Sequence, residues 1–326
     1  MRKYPTQVMS VFVLCCMGLI ISSCKDDDPP AAKPQLSFAL DEITANEADG
    51  TLEVEVVLDK PATQDITIEY AIAGDAVDDA TAAENENSDY EIVSEYLEVV
   101  IVAGETKGII ELDIYSDFDL EGAETIELSI EEVNSELVEI TREDETVITV
   151  NQEDGIAIVL EWADPSAAGQ ADMDIIIRVG PTVNNWTGIT GSFFPGVTGP
   201  EITFVPKATT LAAFGMSYTY YEGTLNPLAF TATFVDVVNG TPEPVNQRTV
   251  YNGSYTLANI NKWEDPATTK VVQTFEKVNG AFTTPTEITT PDAGSRYGAS
   301  IGVPAITLKK SQGSRVSAEI RSKFGL

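Results

Sequence analysis

The sequence predicts an all-β protein, built as two consecutive antiparallel β-sandwiches behind a short N-terminal segment. Three observations carry this. Segments that alternate apolar and polar residues, or are rich in β-branched residues, recur from Leu36 to Val278, with Gly, Pro, Asn and Asp clusters between them. No comparable stretch in that span has helical period. Composition also changes sharply after Asp154, from strongly acidic to Thr-, Gly-, Pro- and aromatic-rich with little net charge.

In the first part the strand-like segments are residues 51–58 (TLEVEVVL), 65–72, 95–102, 107–115 (KGIIELDIY), 124–130 (ETIELSI) and 145–151 (ETVITVN). Six or seven strands in residues 36–154 suit a sandwich with Greek-key links. In the second part they are residues 156–162, 173–179, 201–206, 216–223, 228–238, 248–257 and 270–278, with turns at VNGTPEP and KVNGAF. These predict a second sandwich over residues 155–304. Residues 305–326 form a basic tail with Lys309, Lys310, Arg315, Arg321 and Lys323, in which SRVSAEIRSKF has the composition of a short helix.

The N-terminus is read as a targeting segment. Arg2 and Lys3 precede an apolar run, residues 8–21, that is too short to span a bilayer comfortably. It ends in ISSC, Ile21 to Cys24, which resembles the lipobox of bacterial lipoproteins. That resemblance implies a signal peptide over residues 1–23, cleavage before Cys24 and acylation of Cys24. An ordinary signal peptide with a chance cysteine is the alternative. Cys15, Cys16 and Cys24 are the only cysteines, so the mature chain has no internal disulfide. KDDDPPAAKP follows Cys24, and residues 24–35 read as an extended tether. An acidic run at that place resembles the surface-export signal of Bacteroidetes lipoproteins. The expected location is therefore the outer membrane, lipid-anchored and facing the cell surface, with the periplasmic face as the alternative.

The net charge of −33 is concentrated. Residues 36–154 hold 35 Asp and Glu against Lys60, Lys107 and Arg142. Such a surface repels nucleic acid and attracts cations. Its acids fall mostly at strand ends, and strand ends of a sandwich gather at two poles, so carboxylates remote in sequence can meet there.

In order along the chain come Glu47 before a Gly-Thr turn, Asp89-Tyr90, a strand, Gly104-Glu105-Thr106, a strand, an acidic turn from Asp117 to Asp119, Glu121 with Glu124, and Glu153-Asp154 after the last strand. This pattern resembles the Calx-beta motif of the sodium–calcium exchanger regulatory loop and of bacterial surface proteins. The resemblance covers residues 36–154. It implies a cluster of Ca²⁺ ions at one pole of the sandwich, held by Glu47, Asp89, Asp117, Glu121, Glu124, Glu153 and Asp154. Asp119 falls where the family often supplies a backbone carbonyl. Ca²⁺ takes six to eight hard oxygens in a tolerant geometry, which carboxylates from several loops supply. The chain departs from the family where Ser116 and Phe118 flank Asp117 and where Gln152 opens the closing run. The lost charges reduce the expectation to one or two ions of moderate affinity, about 0.1 to 1 mM. A second acidic stretch, residues 74–91, reads as a solvated loop, with extension of the cation site as the alternative.

In the second part, VLEW and ADMD resemble, over a short span, the opening of jelly-roll modules appended to secreted bacterial proteases, which implies calcium ligation by Asp172 and Asp174. On their own these residues read as a surface turn. Trp186, Phe193, Phe194, Tyr218, Tyr220 and Tyr221 are candidates for stacking on sugars, with core packing as the competing role. Trp186 and Tyr220 are the two singled out as ligand-binding residues.

The chain has no histidine. That removes Ser-His-Asp and Cys-His hydrolysis and His-based zinc sites. No P-loop or dinucleotide fingerprint occurs. The expected function is a non-catalytic, lipid-anchored envelope protein whose calcium-binding module is an adhesion or binding spacer. Its partners are membrane lipid through Cys24 and a glycan or surface-protein ligand, with no nucleic acid. The alternatives are a glycan-capturing accessory lipoprotein of a polysaccharide-uptake system and, with two carboxylates for catalysis, a glycoside hydrolase.

Overall fold

Strand alternation becomes sheet faces in the computed structural model, which describes residues 32–79, 88–94, 96–141, 143–162, 171–192, 200–256, 271–288 and 324. The signal segment, Cys24, Phe193, Phe194 and the basic tail apart from Phe324 lie outside the described residues. Among the described residues no helix is long and apolar enough to cross a membrane.

The first sandwich contains β1 (Gln35–Phe38), β2 (Glu42–Asn46), β3 (Thr51–Leu58), β4 (Ile66–Gly74), β5 (Tyr90–Ile92), β6 (Glu98–Ile101), β7 (Lys107–Ile114), β8 (Glu124–Val133), β9 (Glu139–Ile140) and β10 (Glu145–Asn151). One sheet has the order β5-β7-β3-β1-β9, the other β2-β10-β8-β4-β6. Alternate residues such as Val54, Val56, Leu112, Ile126, Leu128 and Ile148 point inward into one core. The pairing is antiparallel except where β1 meets β9 and β2 meets β10, which run parallel. Those parallel pairs arise because the opening stretch of the sandwich, interrupted at residues 39–41, gives β1 to one sheet and β2 to the other.

The second sandwich contains β11 (Gly155–Trp162), β12 (Ala171–Gly180), β13 (Gly188–Ser192), β14 (Glu201–Pro206), β15 (Ala213–Gly223), β16 (Leu228–Val238), β17 (Thr241–Tyr255), β18 (Gln273–Val278), β19 (Ala281–Phe282) and β20 (Thr286–Glu287). Its sheets are β14-β11-β16-β17 and β13-β12-β15-β18-β19, with β20 also on β18. Both predicted Asn-Gly turns are present. Asn239 and Gly240 have φ of 50° and 67°, and Asn279 and Gly280 have 53° and 78°, positive at both central residues as tight hairpins require. Phe214, Phe234, Phe275 and Phe282 pack ring against ring in the core, and Phe214 stacks on Phe275 with centroids 4.8 Å apart. Tyr218 and Tyr220 belong to this core.

The two sandwiches meet through the acidic turn. The outer face of the β14-β11-β16 sheet presents Ala157, Val159, Ile202, Phe204 and Val237, and Leu120, fully buried, packs among them. Phe118 packs against the second core, and its carbonyl accepts the Phe204 N–H at 3.1 Å.

Candidate functional site

The first sandwich brings Glu47, Asp89, Asp117, Glu121 and Glu124 to one pole. Glu47 opens the 3-10 turn Glu47–Asp49 between β2 and β3. Asp89 directly precedes β5, Asp117 and Glu121 lie in the β7–β8 loop, and Glu124 is the first residue of β8. Gly74 permits this convergence. Its φ is +123°, and a Cβ there would lie 2.1 Å from the Thr125 carbonyl oxygen. The chain then turns so that Asp75 Oδ1 accepts the Thr125 N–H and hydroxyl at 2.6 and 2.7 Å.

Carboxylate oxygens of Asp89, Asp117 and Glu121 all lie within 4.8 Å of one another. Ca²⁺–oxygen distances of about 2.3–2.6 Å put oxygens on opposite sides of one ion roughly 4.6–5.2 Å apart. The three therefore fit around a single ion. Backbone donors hold two of them in place: Asp89 Oδ2 accepts the Val77 N–H at 2.5 Å, and Asp117 Oδ1 accepts the Asp119 N–H at 2.7 Å. Gln152 orients the rest. Its Oε1 accepts the Glu121 N–H at 2.8 Å, and its Nε2 donates to Glu47 Oε2 at 2.6 Å.

Burial and mutual repulsion raise the carboxyls of the cluster. Burial, then the charges of Glu124, Asp89 and Asp117, pushes the Glu121 carboxyl up to about 10. Burial and the Asp117 charge push Glu47 up to about 10 as well. Glu124 is raised by burial and by Asp89, with which it shares a hydrogen bond. Acids crowded and buried in this way raise one another, and a cation among them relieves that repulsion.

Glu153 and Asp154 are placed differently. Glu153 accepts the Ser116 hydroxyl, and its Oε2 accepts the Ala208 N–H at 2.8 Å. Asp154 Oδ1 accepts the Asn239 N–H at 2.8 Å, and Oδ2 accepts Lys207 Nζ at 3.1 Å. Both side chains thus tie the first sandwich to the second. Asp119, only 7% exposed, lies beside the cluster. In the second acidic stretch, Asp79 accepts the Ser88 hydroxyl at 3.0 Å, and Asp78 bridges to Tyr90. Glu84 and Glu86 lie outside the described residues.

Of the two aromatic ligand candidates, Tyr220 is in the core, its hydroxyl donating to the Leu225 carbonyl at 3.2 Å. Tyr218 and Tyr220 share strand parity with the core residues Phe214 and Met216, and that parity overrides their aromatic appeal. Trp186 is half-buried against Gly215, where a Cβ would meet its ring at 2.8 Å. The role of Gln152 was not foreseen from sequence, since a neutral residue in an acidic run gave no sign of bridging two acids.

Solved structures similar to the chain include the apo form of the Calx CBD1 domain, at 15% identity over 37% of this chain and 99% of that one, with a TM-score of 0.31. The CBD12 domain of CALX1.1 matches at 10% identity over 62% of this chain and 80% of that one, TM-score 0.30. A candidate carbohydrate binding protein from Bacteroides ovatus matches at 12% identity over 68% and 70%, TM-score 0.27. No family model matches the chain, and no curated protein does. What the site does is read from its own geometry.

Proposed function

We propose that the chain is a non-catalytic, calcium-binding module of the cell envelope, anchored through acylated Cys24 at the outer membrane, which acts as a stiffened spacer for adhesion or binding. The observation that carries the calcium reading is the trio Asp89, Asp117 and Glu121, with oxygens within 4.8 Å of one another, and beside it Glu47 and Glu124, whose carboxyls burial and neighbouring acids raise. A divalent cation removes the repulsion among the acids.

The spacer reading follows from the same loop. Residues 117–121 place acids on the cluster and Phe118 and Leu120 on the second sandwich, so an ion that fixes the loop also fixes the joint. Glycan capture by the second sandwich rests on Trp186 once Tyr220 is in the core.

Thermal unfolding of the full chain in chelator and in excess Ca²⁺ tests the calcium reading. At 100 times its dissociation constant the ion stabilises by about 2.7 kcal/mol, so the transition moves up by several degrees. Superimposable melting curves in the two buffers reject it.

A further inference from the structure

The second sandwich buries its own carboxylate trio. Asp172 and Asp174 lie on β12, on the face opposite the core residues Met173, Ile175 and Ile177, and not in the surface turn that the residues alone suggested. Glu201 is the first residue of β14, and its Oε2 accepts the Ile175 N–H at 3.2 Å, which fixes it against β12. The three side chains are 8%, 4% and 5% exposed. One carboxylate oxygen from each lies within 4.8 Å of the others, the spacing that surrounds a single Ca²⁺.

An unpartnered oxygen of the trio itself points to a ligand, and a second buried oxygen lies on the same sheet face. Asp172 Oδ1 is buried, and no hydrogen bond from the described residues reaches it. Ser217 Oγ is buried and unpartnered in the same way, on a side chain with no exposure at all. Ser217 stands opposite Ile176 on β15, two residues along the same face from Thr219. The Thr219 hydroxyl donates to Asp174 Oδ2 at 3.3 Å. A carboxylate oxygen buried without a partner is costly, and a hard cation held by the trio satisfies it. Burial, helped by the Glu222 charge, holds Asp172 at about 6, and burial with the Asp172 charge holds Asp174 at about 7.

We propose that Asp172, Asp174 and Glu201 form a second divalent-cation site, of the hard, calcium-binding type, within the second sandwich. It is separate from the first. Glu201 pairs with Leu160, whereas the first sandwich joins at Gly155, the other end of β11.

Terbium, a luminescent substitute for Ca²⁺, reads this site selectively. The Trp162 indole N–H donates to the Ala171 carbonyl at 3.0 Å, one residue from Asp172, so an ion held there takes energy from tryptophan. In the metal-stripped full chain, excitation of tryptophan gives terbium emission that Ca²⁺ competes away. The double variant Asp172→Asn/Glu201→Gln binds at least tenfold more weakly, while Asp117→Asn leaves this emission unchanged. The neutral amides relieve repulsion among buried acids, so in chelator the double variant melts at or above the parent. Emission that is absent in the parent, insensitive to Ca²⁺ or unchanged in the double variant overturns the proposal. Calcium binding by the Asp117→Asn chain gives a second check that leaves the second sandwich unaltered. Retained binding supports the second site, and complete loss overturns it.

Discussion

Glu121 shows at the scale of one residue how position sets chemistry. Its backbone N–H is held by Gln152, its side chain faces Asp89 and Asp117, and burial raises its carboxyl to about 10. A carboxyl whose folded value lies above its unfolded one keeps its proton longer in the folded chain. Folding then takes up protons between the ordinary 4.5 and about 10, and stability falls as pH rises through that window. In chelator, the melting temperature is therefore expected to fall from pH 5 to pH 8. In saturating Ca²⁺ this trend flattens or reverses, because the ion binds the deprotonated cluster and competes with its protons. A melting temperature that rises with pH in chelator contradicts this account of Glu47 and Glu121. Individual acids of the cluster were legible from their place at strand ends. The partners of Glu153 and Asp154 were not, because they come from Ala208, Lys207 and Asn239 in another sandwich.

At the scale of elements, the β7–β8 loop has two faces. Asp117 and Glu121 belong to the cluster, while the intervening Phe118 and Leu120 belong to the second sandwich. The sequence showed Phe118 only as a gap in an acidic pattern, since no local signal tells what a loop residue packs against. Long strands such as β3, β10 and β16 were legible from alternation. The short β5, β9, β13, β19 and β20 were not, because two to five residues carry too little period and are held by their neighbours' ladders. Gly74 is the element-level test. With φ of +123° and Thr125 O in the path of any Cβ, Gly74→Ala is expected to cost at least about 1–3 kcal/mol from backbone strain alone. Its melting temperature drops by several degrees in a thermal scan, and calcium binding weakens with it as Asp75 and Thr125 separate. A Gly74→Ala chain as stable as the parent contradicts the role given to this turn.

For the whole molecule, the excess negative charge is concentrated in the first sandwich, and Pro34–Leu326 form one compact unit in which the joint is partly apolar. Leu120 is fully buried there, so Leu120→Ala removes its side chain from the cluster that includes Val159, Phe204 and Val237, at an expected cost of about 2–5 kcal/mol. The loss should appear as separate melting of the two sandwiches where the parent melts as one. A single transition at the parental temperature in Leu120→Ala contradicts a joint built on this residue. The central claim, that the pole of the first sandwich is a calcium site, is tested most directly by calorimetric titration of Ca²⁺ into the metal-stripped chain and its Asp117→Asn variant. The account predicts a binding event at this pole in the parent that the variant loses or shows at least tenfold weaker, while the separate event of the second sandwich remains in both. Identical titrations of the two proteins, or no heat of binding in the parent, would contradict it.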